Sequence, residues 1–272
     1  MSNNSIKISI LLPTRGRTQQ LKHSVNSLLT TADDPESIEW LFGFDNDDLD
    51  TYHWFAENVI PDIESAGCTY TCLQFEPFGY ERLHVYVNQL AAVAQGNWLV
   101  FWNDDAEMLD SHWDTVINSH TGEFCLQAFD THNLHPYSIF PIVPREWFEV
   151  IGHLSDHQLN DAWLSQIAWL LDIVCRIDVR VNHNRFDLTG ENNDSTFQKR
   201  RIFEGNVADP RDFNYAANRQ KRLKEAHQLA AHLAKKGYTL EHWNNVILKK
   251  ADPWDKMLAS DINGHLTRVD KK

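Results

Sequence analysis

No apolar run in the chain reaches the roughly 18 residues that a membrane-spanning helix needs. The opening stretch, MSNNSIKISILLPTRGR, carries no signal-peptide pattern either. Its apolar core, Ile8 to Leu12, is too short, and arginines follow it. A cytoplasmic setting is therefore expected. Cysteine is scarce: Cys68, Cys72, Cys125 and Cys175 stand alone with no CxxC pair, which suits reduced thiols in or near a core better than disulfides. Histidine is abundant at 14. Leaving aside His157 and His183, however, no two histidines form an HxxxH or HxH pair, which disfavours a mononuclear zinc hydrolase. Positive charge is sparse over most of the chain. Residues 1–198 hold 9 Lys+Arg against 29 Asp+Glu, a balance of −20, and residues 199–272 hold 16 against 9, a balance of +7, giving the net −13. Such an acidic body discourages general nucleic-acid binding and suits a divalent cation. The basic end could dock on an anionic partner or on the acidic body itself.

What is present is enough apolar material for a real core, 42% of 272 residues, in one large domain or a domain with an appendage. IKISILL (6–12) reads as a strand that PTRGR (13–17) breaks, and Leu21, Val25, Leu28 and Leu29 then fall at helical spacing. IEWLFGFD (38–45) is a second strand ending in the acidic turn DNDDLD, followed by a helix over 51–65 and a third strand, CTYTCLQF (68–75). Residues 80–96 form a helix with Leu83, Val87, Leu90, Ala91 and Ala94 on one face, stopped by Gly96. WLVFW (98–102) is a fourth strand. Such near-continuous apolar strands are buried on both faces, which predicts an α/β fold with a mostly parallel central sheet covered by helices. Further on, a helix is expected over 111–120, strands over 123–129 and 137–143, a helix over 159–171 and a strand over 172–183. A long basic helix over 211–237 and a last helix over 239–250 complete the chain. The change of composition near 199–210 predicts a boundary between a body, 1–200, and a basic helical region, 201–272.

Ligands of open α/β sheets bind beyond the carboxyl ends of the strands. PTRGR, DNDD and the Asn103-Asp104-Asp105 run after the fourth strand all fall there. Adjacent carboxylates at a buried strand's tip make an oxygen-rich site of the kind that Mg²⁺ or Mn²⁺ prefers. An ordinary acidic turn capping the next helix is the plainer alternative.

In this order, ISILLPTRGR, WLFGFDNDD and YVNQLAAVAQGNWLVFWNDDAEM resemble the nucleotide-binding strands and the metal-binding DxD segment of family 2-type glycosyltransferases with the GT-A fold. The likeness covers roughly residues 6–200. One departure is plain: the first DxD position is Asn103. The resemblance implies that Pro13, Thr14, Arg15 and Arg17 contact the nucleotide, where guanidinium groups fork onto phosphate. It implies that Asp45, with Asp47 beside it, holds the base or ribose. Asp105 would ligate the cation, while Asn103 and Asp104 orient the site or contact the sugar. His183, at the end of an apolar strand, would complete the metal shell, and residues 180–197 resemble a closing loop carrying Asp194, Thr196 and Phe197.

The resemblance also implies a general base at the start of a later helix. Asp161 lies about 200° around the helix from Leu159 at 100° per residue, facing away from the apolar stripe, and Asp156 is the second choice. Tryptophans 98, 102, 163 and 169 fit a core, whereas 54, 113 and 147 could line an acceptor groove. The expected activity is metal-dependent, inverting transfer of a hexose or pentose from a nucleotide-sugar donor, most often UDP-linked. The acceptor is expected to be a glycan or small molecule. A hydroxymethylated DNA base is the other candidate, as for phage DNA-modifying glucosyl- or arabinosyltransferases, with Arg219, Lys221, Arg222 and Lys224 on phosphates. The rival readings are a catalytically silent nucleotide-sugar-binding module and a two-carboxylate glycoside hydrolase.

Overall fold

The structure is a computed structural model that describes residues 6–120, 125–130, 139–184 and 206–237, and beyond these residues 239, 241, 243–245 and 247. Strands β1 (Ile8–Thr14), β2 (Ile38–Asp45), β3 (Thr69–Phe75) and β4 (Trp98–Phe101) are parallel, in the order β3-β2-β1-β4. The apolar runs of β1, β2 and β4 are continuous because both faces are covered, whereas β3, at the sheet edge, is only partly buried. Ile8, Ile10, Leu12, Trp40, Phe42 and Val100 face one core, and Leu11, Leu41, Leu99 and Phe101 face the other. Helix α1 (Thr18–Thr31) buries Leu21, Val25 and Leu28 against the first. The segment expected as one helix over 51–65 is two, α2 (Leu49–Asn58) and α3 (Ile60–Ser65), because Pro61 starts a new helix rather than continuing the old one. The second core receives α4 (Leu83–Val93).

Beyond β4 the sheet continues through β5 (Ala106–Met108), β6 (Cys125–Asp130), β7 (Pro141–Pro144) and β8 (Val174–His183), giving the order β3-β2-β1-β4-β7-β6-β8-β5. Four of the seven neighbouring pairs are parallel. The strand expected over 137–143 is confined to 141–144: residues 139–140 are a bend, and 137–138 lie outside the described residues. Helices α5 (Trp113–Asn118), α6 (Arg145–Ile151), α7 (Asn160–Leu171) and α8 (Ala216–Ala234) follow, and short 3-10 turns at Pro35–Ser37 and Tyr80–Arg82 precede β2 and α4. Among the described residues no helix is long and apolar enough to cross a membrane, and the four cysteines are free. Trp113 and Trp147, expected as candidates for an acceptor groove, are buried core residues.

Two buried polar nodes tie these layers together. Glu39 of β2 is buried, and its carboxylate accepts the Ser9 hydroxyl of β1 and the backbone N–H groups of Gln95 and Gly96 ahead of β4. A Cβ on Gly96 would sit 2.6 Å from Ser9 Oγ and 2.7 Å from the Ile8 carbonyl carbon, so the turn needs glycine for closeness.

The second node docks α8 on α7. Ala226, Leu229, Ala230 and Leu233 share the core of α7. Arg222, expected to face a phosphate, is instead fully buried: it donates to Gln166 and to the Phe213 carbonyl, with its guanidinium 3.8 Å from the Phe213 ring centre. His157, just before α7, receives the Leu159 N–H on Nδ1 and donates from Nε2 to the Arg211 carbonyl, which fixes a neutral tautomer. Burial holds its pKa down at about 4.

Gly96→Ala is expected to cost about 3 kcal/mol, since the clash is with backbone, and a urea titration measures it. Acid should destabilise the fold through His157. The unfolded imidazole gains its proton near pH 6.5 and the folded one only near 4. The unfolded state therefore binds more protons in that window, and stability falls as pH drops through it, by about 2 kcal/mol between pH 7 and 5. In His157→Gln that slope should be correspondingly shallower.

Candidate functional site

The carboxyl ends of β1, β2 and β4 open on one cleft of about 270 Å³. Pro13, Thr14, Arg15 and Arg17 line it from the end of β1, Asp45 from β2, and Asn103, Asp104 and Asp105 from β4. His183 comes from β8, Tyr80 from the 3-10 turn before α4, Leu83 and Tyr86 from α4 itself, Gln158 and Leu159 from the segment leading into α7, and Asn160 and Asp161 from its first turn.

At the centre are the two adjacent carboxylates. Both Asp104 and Asp105 are largely buried. The Thr14 hydroxyl donates to Asp104 at 2.7 Å, and Nη1 of Arg17 bridges the pair, 2.8 Å from Asp104 and 3.2 Å from Asp105. His183 Nε2 lies 3.0 Å from Asp105 and 3.4 Å from the Asn103 side-chain amide. The reach of His183 follows from strand pairing: β5 is antiparallel to β8 with Ala106 opposite His183, and Asn184 N–H donates to the Asp105 carbonyl. From the other side, Ser24 of α1 donates to the Asn103 carbonyl and accepts the Trp102 indole N–H. Burial, with Asp105 alongside, holds Asp104 above the ordinary carboxylate range despite Arg17. Burial also pushes Asp105 upward, but the hydrogen bond and charge of His183, aided by Arg17, outweigh it and leave Asp105 below that range.

A second cluster sits at the end of β2. Asp45 is buried and uses both oxygens, one toward Arg15 at 2.7 Å and one toward the Tyr86 hydroxyl. Arg15 also pairs with exposed Asp47, and the hydrogen bonds to Asp47 and Asp45 raise its pKa. Asp47 therefore reaches the site through Arg15 and does not line the cleft itself. Gly16, at φ +67°, turns its N–H to Asp48 and Thr51. Tyr86 also accepts the Phe78 N–H at 2.8 Å, and burial followed by Asp45 pushes its phenol up to about 12. Periodicity alone places Tyr86 merely on the buried face of α4, so its part in the site is invisible until β2 is positioned.

The third cluster is the start of α7. Asp161 lines the cleft, and its carboxylate accepts the Ala162 N–H at 2.8 Å. Asp156 does not line it: Asp156 pairs with Lys221 of α8 at 2.6 Å. Gln158 and Asn160, which sequence reasoning passed over, do line it. Asp194, Thr196 and Phe197 lie outside the described residues.

Among the described residues, no group of three or more His, Cys, Asp and Glu side chains stands ready to enclose a metal ion. The donor chemistry nevertheless fits a hard or borderline cation: the Asp105 carboxylate and an imidazole nitrogen aimed at it converge, with the Asn103 amide nitrogen facing the same ring. Nδ1 of His183 is buried without a hydrogen-bond partner among the described residues, leaving Nε2 as the ring's one directed atom.

No protein-family model matches the sequence, and no curated protein sequence matches it significantly. Solved structures do. The mannosyltransferase PcManGT from Pyrobaculum calidifontis, in complex with GDP-Man and Mn²⁺, superposes with a TM-score of 0.52 at 14% identity over 94% of this chain and 73% of that one. S. aureus TarS gives 0.48 at 10% identity over 89% of this chain, which spans 42% of TarS. TarS 1–349 gives 0.46 at 12% identity over 97% and 94% of the two chains. The likeness to the mannosyltransferase shows the fold, an α/β fold of the GT-A type.

Removing Arg17 should expose the strain of two neighbouring buried carboxylates. Arg17→Gln is expected to lose about 2–3 kcal/mol by urea denaturation at pH 7, with Arg17→Lys recovering part of it. An unchanged midpoint would mean that the pair is neutralised elsewhere.

Proposed function

We propose that the protein is a glycosyltransferase that moves a sugar from a nucleoside-diphosphate donor, UDP in the first instance, to an acceptor hydroxyl with inversion. The observation that carries this reading is the meeting of a guanidinium-rich loop, the Asp104–Asp105 pair with His183, and the carboxylate of Asp161 in one strand-end cleft. Arg15 and Arg17 supply forked donors and positive charge for the diphosphate. Pro13 and Thr14 shape that loop, and Asp45, with Asp47 acting through Arg15, receives the base or ribose. Asp105 and His183, with Asn103 or Asp104, would hold a divalent cation (Mn²⁺ or Mg²⁺), which when bound supplies Lewis-acid charge for the departing diphosphate.

Asp161 then accepts the proton of the acceptor hydroxyl. The new bond from that oxygen to the anomeric carbon forms as the carbon–phosphate oxygen bond breaks. Asp156 is the weaker candidate for this role, because Lys221 already neutralises it. In this reading residues 1–200 form the catalytic unit and residues 201–272 a helical appendage. A glycan or small acceptor is favoured over DNA. On the basic helix Arg222 is buried and Lys221 is engaged by Asp156, which leaves a thinner phosphate-binding face than the charge count implies.

Calorimetric titration of UDP and GDP, with Mn²⁺ and again with EDTA, tests the donor site. Metal-dependent binding should weaken at least tenfold in Asp105→Ala. Asp161→Asn should keep nucleotide affinity and lose turnover by roughly a hundredfold or more. Failure of every nucleotide to bind would return Asn103-Asp104-Asp105 to being an acidic turn. Binding without any sugar release would favour the non-catalytic module.

A further inference from the structure

Every oxygen of the two central carboxylates already has a partner. Asp104 accepts the Thr14 hydroxyl on one oxygen, at 2.7 Å, and Nη1 of Arg17 on the other, at 2.8 Å. Asp105 meets His183 Nε2 on one oxygen, at 3.0 Å, and accepts the same Arg17 nitrogen on the other, at 3.2 Å. Of these partners only Arg17 touches both residues, and its guanidinium cancels one of the pair's two formal charges. The Arg17 backbone is fixed at the start of α1, where its carbonyl accepts the Leu21 N–H at 2.9 Å. Its side chain is a long arm on the cleft wall, 21% exposed. The loop's other guanidinium, Arg15, is held apart from the pair by Asp45 and Asp47.

We infer that Arg17 is a resident counter-ion, which holds the place of the divalent cation on Asp104 and Asp105 and passes to the diphosphate when that cation binds. This rests on the nucleotide-sugar reading of the same cleft. A carboxylate oxygen has more than one lone pair, so contact alone does not close the pair to a metal ion. Charge does. A guanidinium and a dication on the same carboxylates, largely shut from water, repel each other far more strongly than in solution. The two therefore exclude each other. A guanidinium driven off the pair needs another anion, and the oxygens of a diphosphate match its forked donors. Arg17 thus ties the entry of the cation to that of the diphosphate, and the two buried carboxylates keep a positive partner throughout.

The test reads metal and nucleotide separately. Mn²⁺ alone is titrated, by electron paramagnetic resonance, into the nucleotide-free wild type, Arg17→Gln and Arg17→Lys. UDP is then titrated calorimetrically into each in saturating Mn²⁺. Arg17→Gln should bind Mn²⁺ roughly tenfold or more tighter than the wild type and UDP roughly tenfold or more weakly, with Arg17→Lys between them on both scales. The opposite signs are the signature, since a damaged fold weakens both ligands together. Thermal melts cover the stability that the variant loses: Mn²⁺ should raise the Tm of Arg17→Gln by more than that of the wild type. Mn²⁺ binding no tighter in either variant would overturn the inference, and leave the donor site standing if the wild type still binds UDP. Tighter Mn²⁺ with unchanged UDP affinity would overturn the passage of Arg17 to the diphosphate. A wild type that binds no nucleotide would remove that passage together with the donor-site reading, and a gain of Mn²⁺ affinity in Arg17→Gln would then uphold the counter-ion alone.

Discussion

The structure depends on how it keeps two adjacent carboxylates out of bulk water. Asp104 and Asp105 end a strand buried on both faces, and like charges so placed repel strongly at low dielectric. The solution is distributed over three distant segments. The loop after β1 brings Thr14 and Arg17, α1 fastens the backbone of the turn through Ser24, and β8 brings His183. None of these contacts is local in sequence. The site therefore exists only when the parallel half of the sheet and its antiparallel extension are both in place.

The same economy governs α7. Its first turn and the two residues before it supply Gln158 to Asp161 to the cleft, while its flank is pinned by α8 through Arg222 on Gln166 and by Glu225 on the Trp163 indole. The basic C-terminal helix is in part a brace for the element that carries the proposed base. Its positive charge goes partly inward, where stacking on Phe213 and Trp163 offsets the desolvation of a guanidinium.

Much of this architecture could be read from the chain. The first four strands, α1, α4 and α7 fall close to where apolar periodicity puts them, because both-face burial and helical stripes leave strong patterns. The convergence of PTRGR, DNDD and NDD on one edge followed from the strand-end rule for parallel sheets. Short elements escaped. Three-residue β5 has no pattern of its own, and seven-residue α6 follows Pro144 in a stretch too brief to show a stripe. Arg222 was misjudged although a signal existed: it lies four and seven residues before Ala226 and Leu229, on the buried face of its helix. Helical position ranks Asp161 ahead of Asp156 in the sequence, but the pairing of Asp156 with Lys221 is visible only once α8 is placed. Gln158 and Asn160 carried no signal at all, since nothing in the sequence separates a cleft-lining amide from any other.

The pairing of β5 with β8 spans just three residue pairs, Ala106 with His183, Glu107 with Asn182 and Met108 with Val181. Strand side chains alternate, so a slip of one residue would turn His183 to the opposite face and put Asn182 in its place. The information held in this crossover is phase as much as identity. Adding one residue between Asp105 and Ala106 would shift that phase and dismantle the centre without changing a single functional side chain.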